Sequence, residues 1–305
     1  MALTSSSTDR GNLPGMALAG TAFALLTAVD TIFKLVAVGH PAYQIILVNA
    51  FFALIPTLIW MLMTGGLKRL HTMRPAQHLA RGSISVMSAF AAIYAYSRLP
   101  LTDYYAIVFA GPLLVTVLSS FWLGEKVDAL RWTAIAAGFF GVIVVTNPFD
   151  IGGSGVHDHL SNIGRFAALI SIFCYALSTI MVRRMRLGES NLTFSFYGYT
   201  ASALIGGTLW LLRGAPDLQL IDILHLALSG TLGGIASICL MTAYHRTPVA
   251  LVAPFQYTQI IWGAVAGYFL WAHIPDIHLV TGAVIVACSG LFVIYRELRV
   301  KDIVR

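Results

Sequence analysis

Charged side chains are scarce in this chain of 305 residues, because Asp, Glu, Lys and Arg together make up only 10% of it. Hydrophobic residues make up 58%, and the mean hydropathy is +0.80. Soluble globular domains carry about 25% charged residues, so the composition excludes that class. It predicts instead an all-α polytopic membrane protein whose partner is the lipid bilayer.

Cysteine is equally rare, since the chain has three, at Cys174, Cys239 and Cys288, far apart within apolar segments. This spacing supports neither a disulfide framework nor a cysteine metal site, so we predict no metal and no cofactor. The sequence "HDH" near residue 158 has the spacing of a weak metal site, but a solvated loop explains it better. The net charge of +6 is spread over short loops, which excludes nucleic acid as a partner.

Ten apolar segments have the length of a membrane span, because a hydrocarbon core about 30 Å thick requires about 20 helical residues. We predict transmembrane helices at 16–38, 42–63, 79–97, 102–123, 132–147, 163–183, 192–212, 222–244, 249–271 and 279–296. With the N and C termini both cytoplasmic, fifteen of the nineteen Lys and Arg residues, Arg81 among them, fall on the inner side. The pattern predicts a multi-pass protein of the cell inner membrane.

A short motif occurs twice. "AYSRLP" at residues 95–100 returns as "AYHRTP" at residues 243–248, with four of six positions identical and an offset of 148 residues. The same offset pairs Gly82 with Gly230 and Thr31 with Thr179. Each half holds five predicted helices, and this odd number makes the second half enter the membrane from the opposite side. We therefore predict two inverted five-helix repeats, residues 1–150 and 151–305, an arrangement typical of secondary transporters.

The first predicted helix carries a polar stripe at the spacing i, i+3, i+4, i+7, formed by Thr27, Asp30, Thr31 and Lys34. A lone aspartate near the bilayer centre costs about 2.5–3.5 kcal/mol, so we expect Asp30 to pair with Lys34. In one interpretation this ion pair only holds the fold together. In the other, Asp30 binds a substrate amine or a proton and Lys34 binds a carboxylate. The counterparts in the second half, Ser178 and Val182, favour the second interpretation.

Further polar and aromatic side chains are candidates for lining a pathway. Gln256 and Gln259 lie one turn apart after Pro254, which removes a backbone hydrogen bond at a predicted mid-membrane depth; interhelical bonding of the two amides explains them equally well. Aromatic candidates, which combine an apolar ring with a polar atom, are Tyr94, Tyr105, Tyr175, Tyr257 and Trp262. Candidate gates near predicted inner helix ends are Glu125, His245 and Arg246; a role as charges that orient the chain in the membrane explains His245 and Arg246 equally well.

The turns at Pro100 and Pro248, the run "GPLLVTVLSSFWLGEKV" at residues 111–127 and "GFFGVIVV" at residues 138–145 resemble the EamA family of the drug/metabolite transporter superfamily. The resemblance covers nearly the whole chain and implies export or exchange of small metabolites, with the aromatic amino acid exporters as the nearest likeness. It also implies a cavity between the first, third, fourth, sixth, eighth and ninth helices. The counterpart of Glu125 is His273, so the second copy of that motif is altered.

The sequence therefore favours a secondary transporter, most plausibly an exporter of amino acids, that works by alternating access through a central cavity. Alternative substrates are cationic drugs, purines and nucleotide sugars. An ion pair with Lys34 would keep Asp30 ionised, which favours weak proton coupling or none. An intramembrane enzyme would need a buried nucleophile and base, and no histidine lies at a predicted mid-membrane depth, so we predict no enzyme. A homodimer is compatible with the sequence.

Overall fold

The computed structural model describes residues 5–66, 72, 74–125, 127–146, 159–185, 191–214, 216–247 and 249–303. These residues form helices and contain no strand. The α-helices are α1 (Ser5–Val36), α2 (Ala42–Thr64), α3 (Pro75–Tyr96), α4 (Leu101–Val108), α5 (Gly111–Trp122), α6 (Ala129–Thr146), α7 (His159–Met185), α8 (Asn191–Arg213), α9 (Leu220–Arg246), α10 (Val249–Val252), α11 (Gln259–Trp271) and α12 (Ile277–Ile303), with a 3₁₀ segment at Ala253–Thr258. The all-helical class is thus confirmed.

Within this part of the chain, six stretches are long and apolar enough to cross a membrane. They lie in α1, α2, the joined α4 and α5, α7, α9 and α12. Each of the ten predicted segments overlaps one of the helices above, but the segments at 79–97, 132–147, 192–212 and 249–271 are not among these six stretches. The count of ten crossings and the cytoplasmic position of both termini therefore stay predictions. The "HDH" loop at residues 157–159 lies outside the described side chains.

Two of the predicted spans are broken. The span at 102–123 divides between α4 and α5, where Phe109 and Ala110 separate the helices and Pro112 occupies the first turn of α5. The span at 249–271 divides into α10, the 3₁₀ segment with Pro254, and α11. Proline lacks a backbone donor and so interrupts the helical hydrogen bonds. The two breaks fall at counterpart positions under the 148-residue offset, and broken helices at such positions point to a transporter's binding site.

The helices pack in pairs that exchange between the two halves. Helix α1 packs on α9, and its counterpart α7 packs on α3; α2 packs on α9, and its counterpart α8 packs on α3; α6 and α12 pack on each other. Small residues allow some of these close crossings. A Cβ atom at Gly230 of α9 would lie only 2.4 Å from the Asn49 carbonyl oxygen of α2. The second half is therefore interleaved with the first rather than set beside it.

The outer surface of this bundle is apolar. Large side chains such as Phe51, Leu211 and Phe269 are 62%, 85% and 79% exposed. So much exposed apolar surface is unfavourable in water and suits contact with lipid tails. The surface therefore agrees with a protein embedded in a bilayer.

The bundle has two ends. One end, which we call the Lys34 end, contains the end of α1 and the connections 37–41, 97–100, 214–219 and 272–276. The opposite end, the Arg81 end, contains the start of α3 and the connection between α5 and α6. In the predicted topology the Lys34 end faces outward and the Arg81 end faces the cytoplasm.

Candidate functional site

A carboxylate lies inside the bundle toward the Lys34 end. Asp30, on α1, is partly exposed, and its Oδ2 accepts a hydrogen bond of 2.8 Å from the hydroxyl of Tyr105 on α4. The hydroxyl of Tyr96, at the end of α3, is a second neighbour of this carboxylate. The Tyr105 ring packs against Gly263 of α11, where a Cβ would approach it to 2.7 Å. The broken helix α4 thus presents a phenol to the carboxylate of α1.

Lys34 does not pair with Asp30, so that expectation was wrong. The Lys34 ammonium group instead donates hydrogen bonds to the carbonyl oxygens of Tyr96 and Leu99, at 2.8 and 2.5 Å, and lies 5.3 Å from the centre of the Trp271 ring. These carbonyls follow the end of α3, where the helix leaves them without internal partners. No ion pair of Asp30 with a cation is present among the described residues.

Hydroxyl groups extend from Asp30 across the bundle. The rings of Tyr96 and Tyr104 touch edge to face with their centres 4.4 Å apart. The Tyr104 hydroxyl is 3.2 Å from the Ser171 Oγ of α7, and the Ser88 hydroxyl of α3 donates to the Ser171 carbonyl oxygen at 2.8 Å. We call Tyr96, Tyr104, Tyr105, Ser171 and Ser88 the hydroxyl chain. It connects the surroundings of Asp30 with a cavity nearer the Arg81 end.

This cavity lies between α3 and α7 and has a volume of about 250 Å³. We call it the Arg81 cavity. Most of the residues that line it carry a polar group; they are Arg81, Ser85, Ser88, Tyr175, Ser178, Thr179 and Val182. The hydroxyls of Ser85 and Ser178 are 2.8 Å apart, and Tyr175 is 48% exposed. The predicted site residues Tyr175 and Ser178 therefore lie together in one cavity.

A second depression, the lateral groove, lies between α1, α9 and α11. Its volume is about 370 Å³, and its lining is mostly apolar, with Trp262 and Phe269 as its large aromatic residues. Thr27 and Thr31 also line the groove, but their hydroxyls donate to carbonyl oxygens of α1 itself, those of Phe23 and Thr27. Trp262 thus belongs to an apolar surface rather than to the Arg81 cavity, whereas the buried Thr27 side chain is also a hydrogen-bonding neighbour of Tyr105, beside Asp30.

The remaining predicted site residues lie elsewhere. Tyr94 is on the surface of α3, where the Arg98 guanidinium lies 5.6 Å from its ring centre. The Tyr257 ring packs edge-on against Phe109 with centres 4.9 Å apart, and its hydroxyl lies over Gly290 of α12. Gln256 in the 3₁₀ segment and the buried Gln259 at the start of α11 line neither the Arg81 cavity nor the lateral groove.

The candidate gates form ordinary surface contacts. Glu125 Oε2 lies 3.7 Å from Arg183 Nη1 of α7, and both side chains are substantially exposed. His245 and Arg246 are exposed at the end of α9. At the opposite end His273, the counterpart of Glu125, lies 3.8 Å from Asp103 of α4. Glu125 therefore contacts a basic side chain, whereas its counterpart His273 contacts an acidic one.

Two parts of this site were not predicted from the sequence. Arg81 was counted among the basic residues that orient loops, yet it is only 8% exposed. The signal was present, because Arg81, Ser85 and Ser88 follow the helical spacing i, i+4, i+7. It was overlooked because the predicted helix began at 79 and so left Arg81 at its end, whereas α3 begins at Pro75. The hydroxyl chain had no such signal, since Tyr104 and Ser171 lie on helices far apart in sequence.

Helices packed in exchanged pairs, two broken spans at counterpart positions and charged groups enclosed between them define a membrane transporter. The sequence profile of the EamA-like transporter family matches residues 13–147 and again residues 162–296. The chain therefore belongs to the EamA-like transporter family, as the sequence indicated, and is a multi-pass protein of the inner membrane.

Several relatives have named activities. The chain is 25% identical over 275 residues to the S-adenosylmethionine uptake transporter of Rickettsia felis, covering 89% of each chain. It is 26% identical over 286 residues to the riboflavin transporter of Rhizobium johnstonii, covering 93% of this chain and 91% of the relative. A crystal structure with 15% identity superposes with a TM-score of 0.64 over 92% of this chain and 95% of the other, which shows a shared fold.

Proposed function

We propose that this protein is a secondary transporter that moves a small metabolite bearing an amino acid group across the inner membrane by alternating access. The observation that carries the proposal is the Asp30 carboxylate, partly exposed inside the bundle, with a tyrosine hydroxyl and no cation as its partner among the described residues. A charge in this position is costly unless it meets a counter-charge. A substrate ammonium group or a proton supplies that partner.

The names of the relatives support a substrate of this class. S-adenosylmethionine carries the ammonium and carboxylate groups of an amino acid together with a positive sulfonium centre, so it and free amino acids present the same cationic group to Asp30. Riboflavin is uncharged at neutral pH and would leave Asp30 without a counter-charge. We therefore favour amino acids and their cationic conjugates over a flavin, a nucleotide sugar or a drug that is only a cation.

The arrangement of the helices supports alternating access. The contact of α1 with α9 has its counterpart in the contact of α7 with α3, as expected for halves 1–150 and 151–305 related by a pseudo-two-fold axis. In this proposal ten spans cross the membrane with cytoplasmic termini, and rocking of the halves exposes Asp30 and the Arg81 cavity in turn. Lys34 then acts as a latch at the outer end, because its ammonium group ties α1 to the connection after α3.

The same geometry supports proton coupling. An ion pair with Lys34 would keep Asp30 ionised, but that pair is absent here, so the argument against proton binding at Asp30 no longer applies. An aspartate hydrogen bonded to tyrosine hydroxyls can hold a proton in one state and an ammonium group in the other. We therefore include proton exchange at Asp30 in the mechanism.

The test is uptake into proteoliposomes containing the purified full-length protein. Radiolabelled methionine, phenylalanine, S-adenosylmethionine and riboflavin are offered with the lumen acidic, with the lumen alkaline and with no pH gradient. We expect saturable uptake of at least one amino-bearing solute, a rate that depends on the gradient, and loss of uptake in Asp30→Asn. Asp222→Asn, which removes an acid at the Lys34 end outside this site, serves as the matched control.

Uptake of riboflavin alone, or full activity of Asp30→Asn, would overturn the proposal. The thermal stability of each purified variant is measured in parallel, so that loss of transport is scored only in a folded protein. Counterflow of unlabelled substrate from the lumen then determines whether the protein runs in both directions, which separates an exchanger from a one-way carrier.

A further inference from the structure

Arg81 is a buried charge that has no counter-charge within the part of the chain that the structure describes. Its side chain is only 8% exposed, and its Nη2 donates to the Phe194 carbonyl oxygen of α8 at 2.5 Å, with the guanidinium 5.5 Å from the Phe194 ring centre. Its Nε has no hydrogen-bond partner, and no carboxylate of the described residues forms an ion pair with it. The guanidinium group is never deprotonated in proteins, so the positive charge stays in place.

Such a charge needs an anion. Removing a charge from water costs several kcal/mol, and one carbonyl and one ring replace only part of its hydration. Helix packing alone does not require this cost, because a smaller polar residue can donate to Phe194 without it. Among the described residues no group supplies this anion, and the open donor of Arg81 therefore favours a bound ligand.

We propose that the Arg81 cavity binds the carboxylate group of the transported solute. Among the described residues that line the cavity, Arg81 is the charged one, and the neutral hydroxyls of Ser85 and Ser178 lie in the same wall. The hydroxyls of Ser88 and Thr179 donate to the carbonyl oxygens of Ser171 and Tyr175. One guanidinium balances a monoanion such as a carboxylate. A phosphate monoester carries a charge of about −1.5 to −2 at neutral pH and would need a second cation in the wall. The Tyr175 ring, also in the wall, offers an apolar face to the rest of the solute.

This carboxylate site is separate from Asp30. Arg81 and Tyr96 are both on α3, with about 22 Å of helix axis between them at about 1.5 Å per residue, and the Tyr96 hydroxyl is the one beside Asp30. The ammonium and carboxylate of one amino acid are attached to the same carbon, so they cannot occupy both sites together. The solute thus has two stations, the Arg81 cavity and Asp30, joined by the hydroxyl chain.

The inference rests on the proposed function, and its test uses ligands that differ only in the anionic group. The full-length protein is purified in detergent, and its melting temperature is measured against methionine and methioninamide, and against S-adenosylmethionine and its decarboxylated analogue. A ligand that binds the folded state raises the melting temperature. We expect stabilisation by the carboxylates, with half-saturation at concentrations at least tenfold lower than for the partners lacking a carboxylate.

Substitutions of Arg81 test whether this residue causes the preference for carboxylate ligands. Arg81→Gln should raise the half-saturation concentration of the carboxylate ligands at least tenfold and leave that of the amide unchanged, which removes the preference. Arg81→Lys keeps the charge and should retain part of the preference, so the test survives if the glutamine variant does not fold. Arg213→Gln, at the exposed end of α8, removes a guanidinium outside the cavity and should behave as wild type.

Equal binding of methionine and methioninamide, or an unchanged preference in Arg81→Gln, would overturn the carboxylate site even while proteoliposomes still transport amino-bearing solutes. Stabilisation by inorganic phosphate in place of the carboxylates would also overturn it, because it would assign the cavity to phosphate. Absence of all uptake in the proteoliposomes would instead count against the proposed function itself.

Discussion

Helices α1 and α7 are counterparts in the two repeats, and four positions of α1 can be compared with the same four of α7. On α1 these positions hold Thr27, Asp30, Thr31 and Lys34, and on α7 they hold Tyr175, Ser178, Thr179 and Val182. The α7 set lines the Arg81 cavity, where the charge comes from the neighbouring helix α3. On α1, by contrast, the charged residues Asp30 and Lys34 are part of the helix itself. Arg81 in turn has Ser229 as its counterpart on α9, so neither half repeats the other's charge.

The difference shows how one backbone repeat supports two chemically distinct stations. Asp30 has the Tyr105 hydroxyl beside it, whereas the counterpart of Tyr105 is Ala253, so a carboxylate at the counterpart position on α7 would lack this hydrogen bond. Arg81 finds serines on α3, whereas the counterparts of Ser85 and Ser88 on α9 are Gly233 and Ala236. The Gly233 position lies against Val29 of α1. The acid on α1 is hydrogen bonded by a phenol of α4, whereas the base on α3 lines a cavity shared with α7.

The largest effect is expected when Asp30 of α1 is replaced by serine, the residue at its counterpart position 178 on α7. Asp30→Ser should lower the initial rate of uptake at least thirtyfold. In the proposed mechanism Asp30 pairs with the ammonium group of the substrate, and truncating one partner of a buried charge pair costs about 2–5 kcal/mol. The double variant Asp30→Ser with Ser178→Asp should not restore transport, since α7 lacks a counterpart of Tyr105. Initial rates in proteoliposomes provide the measurement, and recovery of transport in the double variant would mean that the two stations are interchangeable.

A smaller loss is expected when only the phenol is removed. Tyr105→Phe keeps the ring that packs on Gly263 but deletes the hydrogen bond to Asp30, and bonds to charged groups contribute about 1.5–3 kcal/mol. We expect transport at subsaturating substrate to fall about tenfold or more. Tyr94→Phe is the matched control and should change the rate less than twofold, because Tyr94 lies on the outer surface of α3. Equal losses in both variants would contradict the central position of Tyr105.

Stability offers a third comparison, between the paired glycines Gly82 and Gly230. A Cβ at Gly230 would meet backbone of α2 at 2.4 Å, whereas a Cβ at Gly82 would meet the Ala201 methyl group at 2.7 Å and backbone only at 3.5 Å. Overpacking costs about 1–3 kcal/mol, and backbone yields less easily than a side chain. Gly230→Ala should therefore lower the melting temperature in detergent by several degrees, and Gly82→Ala by less. The reverse order would show that the α3–α8 crossing is the tighter one.

The all-helical class and the two-repeat organisation were predictable from the sequence, because apolar length and the recurring motif follow from composition and spacing. The inversion of the second repeat stays a prediction. The stripe on α1 was likewise visible at helical spacing, and the structure brings Asp30 and Tyr105 into contact. The pairing of Asp30 with Lys34 was wrong for a physical reason. The spacing i, i+4 makes contact between two side chains possible, but the free carbonyls of Tyr96 and Leu99 compete for the ammonium group. Their position depends on how α3 ends beside α1, which local spacing does not contain.

The Arg81 cavity illustrates the opposite difficulty. Its polar residues on α3 and α7 were each recognisable at helical spacing, but nothing in either helix tells which stripes face each other. A basic residue near a helix end is also explained by the enrichment of Lys and Arg on the cytoplasmic side, and Arg81 was assigned to that pattern. Burial distinguishes the two roles, because the exposed Arg184 at the end of α7 is solvated while Arg81 is enclosed.

The smallest effect is expected at the two copies of the gate motif. Glu125 and Arg183 are 50% and 38% exposed with 3.7 Å between their charged atoms, and exposed ion pairs contribute about 0–1 kcal/mol. Glu125→Gln should therefore change the uptake rate less than about fivefold.

Asp103→Asn should have a larger effect than Glu125→Gln. Asp103 is only 25% exposed, lies beside His273, and is part of α4, the broken helix that also carries Tyr105. Initial rates measured at low and high salt separate the two cases, since salt screens an exposed pair more than an enclosed one. A loss greater than tenfold in Glu125→Gln would mean that the Arg81 end closes through this pair during transport, and the contact would then be a gate despite its exposure here.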